Sequence, residues 1–137
     1  MDKRILVAID GTEHSKIAVS YAIHLASLTK TELVVALVNV AIGGVRGPLL
    51  YSFADEEAAK IVSQAADKAR RAGIKTVKEV VIASREADSG IVQYADEKKV
   101  DHIVVGTGEK RGVSRLVLGS VAGDIARRAH CTVTVAR

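Results

Sequence analysis

The sequence contains one cysteine (Cys131), one proline (Pro48), no tryptophan, and only three tyrosines and one phenylalanine in 137 residues. A lone cysteine excludes an internal disulfide, and no group of Cys and His has the spacing of a metal site. Cys131 therefore reads as a small buried hydrophobe rather than a reactive thiol. Nucleic acid is held by dense basic clusters and stacking rings, and this chain has neither, so a nucleic-acid partner is not expected. No apolar run approaches the ~20 residues that span a bilayer. The amino-terminal run Ile5-Leu6-Val7-Ala8-Ile9 is too short for a signal peptide and is closed by Asp10, which leads us to expect a cytoplasmic protein with no membrane partner.

What is present suits one globular domain over residues 1–137. The chain is 48% hydrophobic and 26% charged, which excludes disorder and collagen-like sequence. A chain of this size buries roughly 68% of the surface its unfolded form exposes and folds without a disulfide or metal. Its 20 basic and 16 acidic residues leave a net charge of +4, a mild excess compatible with a bound polyanion and equally with solubility alone.

Within residues 3–9, Ile5-Leu6-Val7-Ala8-Ile9 form a continuous aliphatic run, the pattern of a strand buried on both faces of a parallel sheet. Ile17, Ala18, Tyr21, Ala22, Leu25 and Leu28 follow at helical spacing and predict an amphipathic helix over 13–29. Residues 33–40 predict a second buried strand. Residues 41–48 hold three glycines and the proline and read as a mobile loop. Ser52-x-x-Asp55 resembles a capping box opening a long helix, closed by Gly73 before Ile74. A strand over 77–83, a helix over 86–98, a strand at 102–105, a helix carrying Val121, Ala122, Ile125, Ala126 and Ala129, and a strand Thr132-Val133-Thr134-Val135 complete the pattern. Five strands alternating with helices mean an α/β fold: a parallel sheet covered on both faces. Ligands in such sheets lie at the carboxyl ends of the strands, where the strand order reverses. The first and fourth strands end most unusually, in Asp10-Gly11-Thr12 and Gly106-Thr107-Gly108, so the site is placed between them.

Gly106-Thr107-Gly108, then Lys110, Arg111 and Arg115, then Gly119-Ser120 opening the last helix, fit a phosphate cradle built from backbone N–H groups, a hydroxyl and a helix dipole. The same residues also fit ordinary turn glycines with an N-cap serine. Asp10 can accept hydrogen bonds from a ribose hydroxyl or purine amine, or hold magnesium through water; it equally fits an Asx-turn or the cap of the next helix. His14 follows closely enough to approach the site, although an exposed first-turn histidine accounts for it as well. No nucleophile–base–orienter set is evident, and Ser15, Ser52 and Ser120 each have a capping explanation.

The opening Ile5-Leu6-Val7-Ala8-Ile9-Asp10-Gly11-Thr12-Glu13-His14-Ser15 resembles that of the universal stress protein family, as does the carboxyl-terminal part, with Ile103-Val104-Val105-Gly106 and Leu118-Gly119-Ser120-Val121. The resemblance implies a single-domain, Rossmann-like three-layer α/β sandwich of the adenine nucleotide alpha hydrolase type, its five-stranded parallel sheet ordered 3-2-1-4-5. It implies a homodimer formed through the last strand, Thr132-Val133-Thr134-Val135. It also implies ATP or another adenine nucleotide as ligand, with or without magnesium. Asp10 would lie near the ribose or base, Val40 and the backbone around Ala8 against adenine, and Gly106, Thr107, Gly119, Ser120 and Val121 around the phosphates and ribose. The nucleotide-binding branch carries G-x-x-G, nine residues, then G-[ST]. Gly106 and Gly119-Ser120 fit that count, but Glu109 stands where the second glycine belongs.

Two functions follow from the resemblance. One is a nucleotide-dependent sensor or regulator with little or no hydrolysis. The alternative is a member without nucleotide, acting as a dimeric interaction module in stress response toward an unidentified client protein. An adenylating enzyme fits less well, since only Gly11 and Ser15 match a Ser-Gly-Gly-x-Asp-Ser loop.

Overall fold

A computed structural model describes residues 4–107 and 119–137 of the chain. Among them the elements are β1 (Arg4–Ile9), α1 (Glu13–Thr29), β2 (Glu32–Gly43), β3 (Leu49–Tyr51), α2 (Asp55–Arg71), β4 (Val77–Ser84), α3 (Ala87–Glu97), β5 (His102–Gly106), α4 (Ser120–Arg128) and β6 (Thr132–Ala136).

Alternation along the strands builds the three layers. Ile5, Val7 and Ile9 of β1 pack with Leu33, Val35 and Leu37 of β2 against α1 and α2. Leu6 and Ala8 pack with Val34, Ala36 and Val38 against α3 and α4. Successive side chains of a strand point to opposite faces, so a strand apolar at every position is one buried on both sides. The parallel strands lie in the order β4-β2-β1-β5-β6, the expected 3-2-1-4-5 when parallel strands are counted along the chain.

A sixth strand corrects the sequence reading. β2 runs on to Gly43, and its last three residues pair antiparallel with β3 through Ala41↔Tyr51, Ile42↔Leu50 and Gly43↔Leu49. Residues 41–43 are therefore not loop; only 44–48 form the turn of a hairpin. The pairing satisfies backbone groups that a free loop would leave to water.

The buried face of α1 also differs from expectation. Ala18, Ala22 and Ala26 are buried together with Ser15, Val19 and Ile23. Ile17, Tyr21 and Leu28, which share the helical periodicity, remain 46%, 42% and 69% exposed. Alanines four residues apart let the helix axis approach the sheet closely, and that packing overrides the stripe of larger residues.

Helix α2 begins two residues later than a Ser52 cap requires. Its N-cap is Ala54, without a side-chain cap, while Ser52 turns back to β2, its N–H donating to the Val40 carbonyl at 3.0 Å. Asp55, Glu56 and Glu57 in the first turn complement the helix dipole instead. The carboxyl end is as expected. Gly73 adopts φ +97°, and the N–H groups of Gly73 and Ile74 donate to Arg70 and Ala69 carbonyls at 3.0 and 3.2 Å. That is a Schellman motif, with Ile74 delivered into the core.

On the other face, Asp88 of α3 is buried and accepts from Arg128 Nη1 of α4 at 2.7 Å, tying the two helices together. The α4 core residues are Ala122, Gly123 and Ile125, with Ala126 outside. Cys131 packs half-buried beside that core. Burial pushes its thiol above the usual range and the Asp96 and Asp101 charges add to the shift, which keeps it protonated and unreactive.

Candidate functional site

The strand order reverses between β1 and β5, and there a cavity of about 400 Å³ opens at the carboxyl ends of the strands. The eight residues singled out from sequence all line it. Ala8 and Asp10 come from β1 and its end, Val40 from β2, and Gly106 and Thr107 from the end of β5. Gly119, Ser120 and Val121 come from the start of α4. Glu109, Lys110 and Arg111 lie outside the described residues, as do Gly108 and Arg115.

The cavity has an apolar side and a polar side. Val38 and Val40 of β2, Ile91 of α3, Val105 of β5 and Phe53 form the apolar part. Sequence reading missed Phe53, and the signal for it lay elsewhere, in Asn39. This single polar residue interrupts the aliphatic run of β2 and is only 4% exposed. Its Nδ2 donates to the Phe53 carbonyl at 2.9 Å, and its Oδ1 accepts from the Phe53 N–H at 2.9 Å. The amide thus acts as a strand partner for one residue and fixes the 52–54 segment beside the cavity.

On the polar side, Asp10 organises the turn from β1 into α1. Its Oδ1 accepts from the Thr12 N–H at 2.9 Å and from Thr12 Oγ1 at 2.6 Å. Ser15 Oγ donates to the same oxygen and accepts from the Asp10 N–H at 2.8 Å. The Asx-turn reading of Asp10 is therefore realised, and it coexists with a place in the cavity wall, since these bonds fall on one carboxylate oxygen. Partial burial alone would raise the Asp10 carboxyl, but the bonds from Ser15 and Thr12 outweigh it and hold the group below the usual carboxylate range.

The sign of the resulting pH dependence follows from linkage. A carboxyl held low in the folded state stabilises fully above its unfolded value of about 3.9, and that contribution disappears as pH falls through the lower folded value. Ser15→Ala removes the leading hydrogen bond, so the Asp10 carboxyl should titrate at higher pH in the variant. Carbon-detected NMR titration of the aspartate carboxyls checks this; an unmoved Asp10 midpoint contradicts it.

The α4 end supplies donors. Gly119 is the N-cap in extended conformation with no side-chain cap, and Ser120 is the first helical residue rather than the cap. The amino end of a helix presents unpaired N–H groups and partial positive charge, here at the cavity wall. Gly106 has a role that sequence reading did not assign. A Cβ there would lie 2.8 Å from the His14 carbonyl oxygen, so β5 and the first turn of α1 meet closer than any side chain permits.

The model of the universal stress protein family matches residues 1–137. The chain belongs to the universal stress protein family. Universal stress protein YxiE of Bacillus subtilis is 32% identical over 151 residues, the match covering 100% of both chains. Among solved structures, a universal stress protein in complex with cAMP matches with a TM-score of 0.77 at 23% identity, covering 99% of this chain and 97% of that one. The universal stress protein from Archaeoglobus fulgidus in complex with dAMP matches with a TM-score of 0.73 at 24% identity, covering 98% of each. These likenesses show the fold. In this universal stress protein, no helix among the described residues is long and apolar enough to cross a membrane.

Proposed function

We propose that this universal stress protein binds ATP or a related adenine nucleotide and acts as a sensor or regulator, with little or no hydrolysis. The observation that carries the reading is the cavity itself. Its volume of about 400 Å³ falls in the range of small-molecule sites, and it joins an apolar slot to a helix amino end. Adenine fits the slot against Ala8 and Val40, between Val38, Phe53 and Ile91. Asp10 keeps one carboxylate oxygen for a ribose hydroxyl. Gly106, Thr107, Gly119, Ser120 and Val121 take the phosphates. The cAMP and dAMP complexes of two family members support the same class of ligand. Slow or absent turnover follows from the polar groups, because the single carboxylate among the described lining residues is Asp10, held by its turn at one oxygen and assigned to the ribose at the other.

The proposal includes a cytoplasmic homodimer formed through β6, an edge strand hydrogen-bonded only to β5 among the described residues. The second reading, a protein-interaction module without nucleotide, is favoured by the β2–β3 hairpin, which exposes Ile42, Val45, Leu49 and Leu50.

Calorimetric titration of ligand-free protein with ATP, with and without magnesium, separates the readings. Micromolar binding supports the sensor. No heat and no thermal stabilisation at millimolar ATP would overturn it and leave the interaction module.

A further inference from the structure

We infer that His14 is a phosphate-contacting specificity residue of this cavity, the side chain that makes it prefer a phosphorylated adenosine to the bare nucleoside. The inference rests on the nucleotide reading and assigns one of its contacts to a residue outside the glycine-rich segment. Among the described residues lining the cavity, His14 alone carries a side-chain nitrogen; the other polar side chains there are hydroxyls and the Asp10 carboxylate. Its ring has no hydrogen-bond partner among the described residues, and the residue is half-buried.

Its position is fixed from both sides. The His14 carbonyl oxygen lies 2.8 Å from the place a Gly106 Cβ would occupy, and its own Cβ lies 3.8 Å from that place, so the imidazole starts directly against the end of β5. One residue on, Ser15 is locked to Asp10 through Oγ, and its N–H donates to the Thr12 carbonyl at 3.1 Å. The first turn of α1 therefore cannot swing away without breaking that turn.

Among the described residues, the charged side chains next to His14 in the chain each have a partner. Glu13 and Lys16 pair with each other at 2.9 Å on the exposed side of α1, and Asp10 is held by Thr12 and Ser15. Across the cavity stand Ser120 and the uncapped amino end of α4. A group that only accepts hydrogen bonds suits this set best. An imidazole N–H, a hydroxyl and helix-end amides all donate, and a phosphate offers oxygens to each. A ribose or base does not need the imidazole, because Asp10 and the apolar slot already serve those parts.

The test is calorimetric titration of adenosine, AMP and ATP into the full chain, as wild type, His14→Ala and His14→Lys. Wild type should bind AMP more tightly than adenosine. His14→Ala should weaken AMP and ATP about tenfold, the worth of one charge-assisted hydrogen bond, and leave adenosine unchanged. His14→Lys, which places a long side chain with N–H donors at the same position, should restore most of the loss. Should the alanine variant fail to fold, His14→Gln supplies the same comparison with a neutral donor, and a smaller selective loss is expected. Equal weakening of adenosine and AMP, or unchanged AMP affinity, would overturn the assignment of His14. Failure of all three ligands to bind wild type would overturn the nucleotide reading itself, and the inference with it.

Discussion

Gly106→Ala is expected to cost about 2–3 kcal/mol of folding stability, the range of a forced overpacking at a site that cannot relax. The added Cβ would meet the His14 carbonyl oxygen at 2.8 Å and the carbonyl carbon at 3.3 Å. These are backbone atoms of the first turn of α1, pinned by Ser15 and Asp10, so no rotamer change relieves the contact. Separating β5 from α1 would instead disturb the β1–β5 ladder, whose register runs from Ile5↔His102 to Ala8↔Val105. A loss of that size lowers the melting temperature by on the order of 10 °C in a domain of this length. Gly47→Ala is the control. A Cβ at Gly47 meets nothing within 4 Å, and the change should stay within about 0.5 kcal/mol. Thermal denaturation of both variants decides the matter; equal melting temperatures would sink the close-approach account of Gly106. The result also bears on ligand binding. A loss of nucleotide affinity in Gly106→Ala cannot be read as a lost phosphate contact until the cost to the fold has been subtracted.

Gly106 shows what kind of information the sequence carried and where it stopped. Its glycine identity and its place after an aliphatic run marked it as special, and both pointed to the end of the sheet where the cavity opens. The reason for the glycine depends on how near α1 comes to β5, a distance set by the alanine face of the helix and invisible in a one-dimensional pattern. The same alanines explain the misread face of α1. Periodicity set Ile17, Tyr21 and Leu28 beside Ala18 and Ala22, whereas the sheet kept the two alanines, added Ala26 for closeness and left the three larger residues exposed. Boundaries were legible where the signals are local. The span of α1 emerged at its observed limits, and Gly73 marked the end of α2. β3 was illegible because it is three residues long, follows directly on Pro48, and exists only through its pairing with β2. The glycines and proline around it describe the turn of the hairpin and not its arms.

Asn39 is the position where a single substitution should test the architecture of the cavity most directly. Asn39→Leu keeps the approximate volume and adds apolar burial, yet it strips the Phe53 N–H and carbonyl of partners that now lie at 2.9 Å each. Two lost hydrogen bonds, with the donor and acceptor left poorly solvated, outweigh the gain from burying a leucine. The expected net cost is about 2–4 kcal/mol. Phe53 lines the cavity, so on the proposed nucleotide reading affinity for an adenine nucleotide should fall together with stability. Asn39→Asp separates the two bonds. An ionised carboxylate still accepts from the Phe53 N–H but sets a second oxygen against the Phe53 carbonyl, whereas the protonated acid donates to that carbonyl and restores the pair. Burial and this contact both favour the protonated form, so the folded pKa of the introduced carboxyl is raised. Its stabilising contribution is then complete below the unfolded value of about 3.9 and is lost as pH rises through the folded value. Denaturant unfolding across that window should show the variant approaching wild-type stability at the acid end and falling away toward neutrality. A variant equally destabilised at every pH would mean that the Phe53 carbonyl finds another donor, and that Asn39 holds the segment through the N–H bond alone.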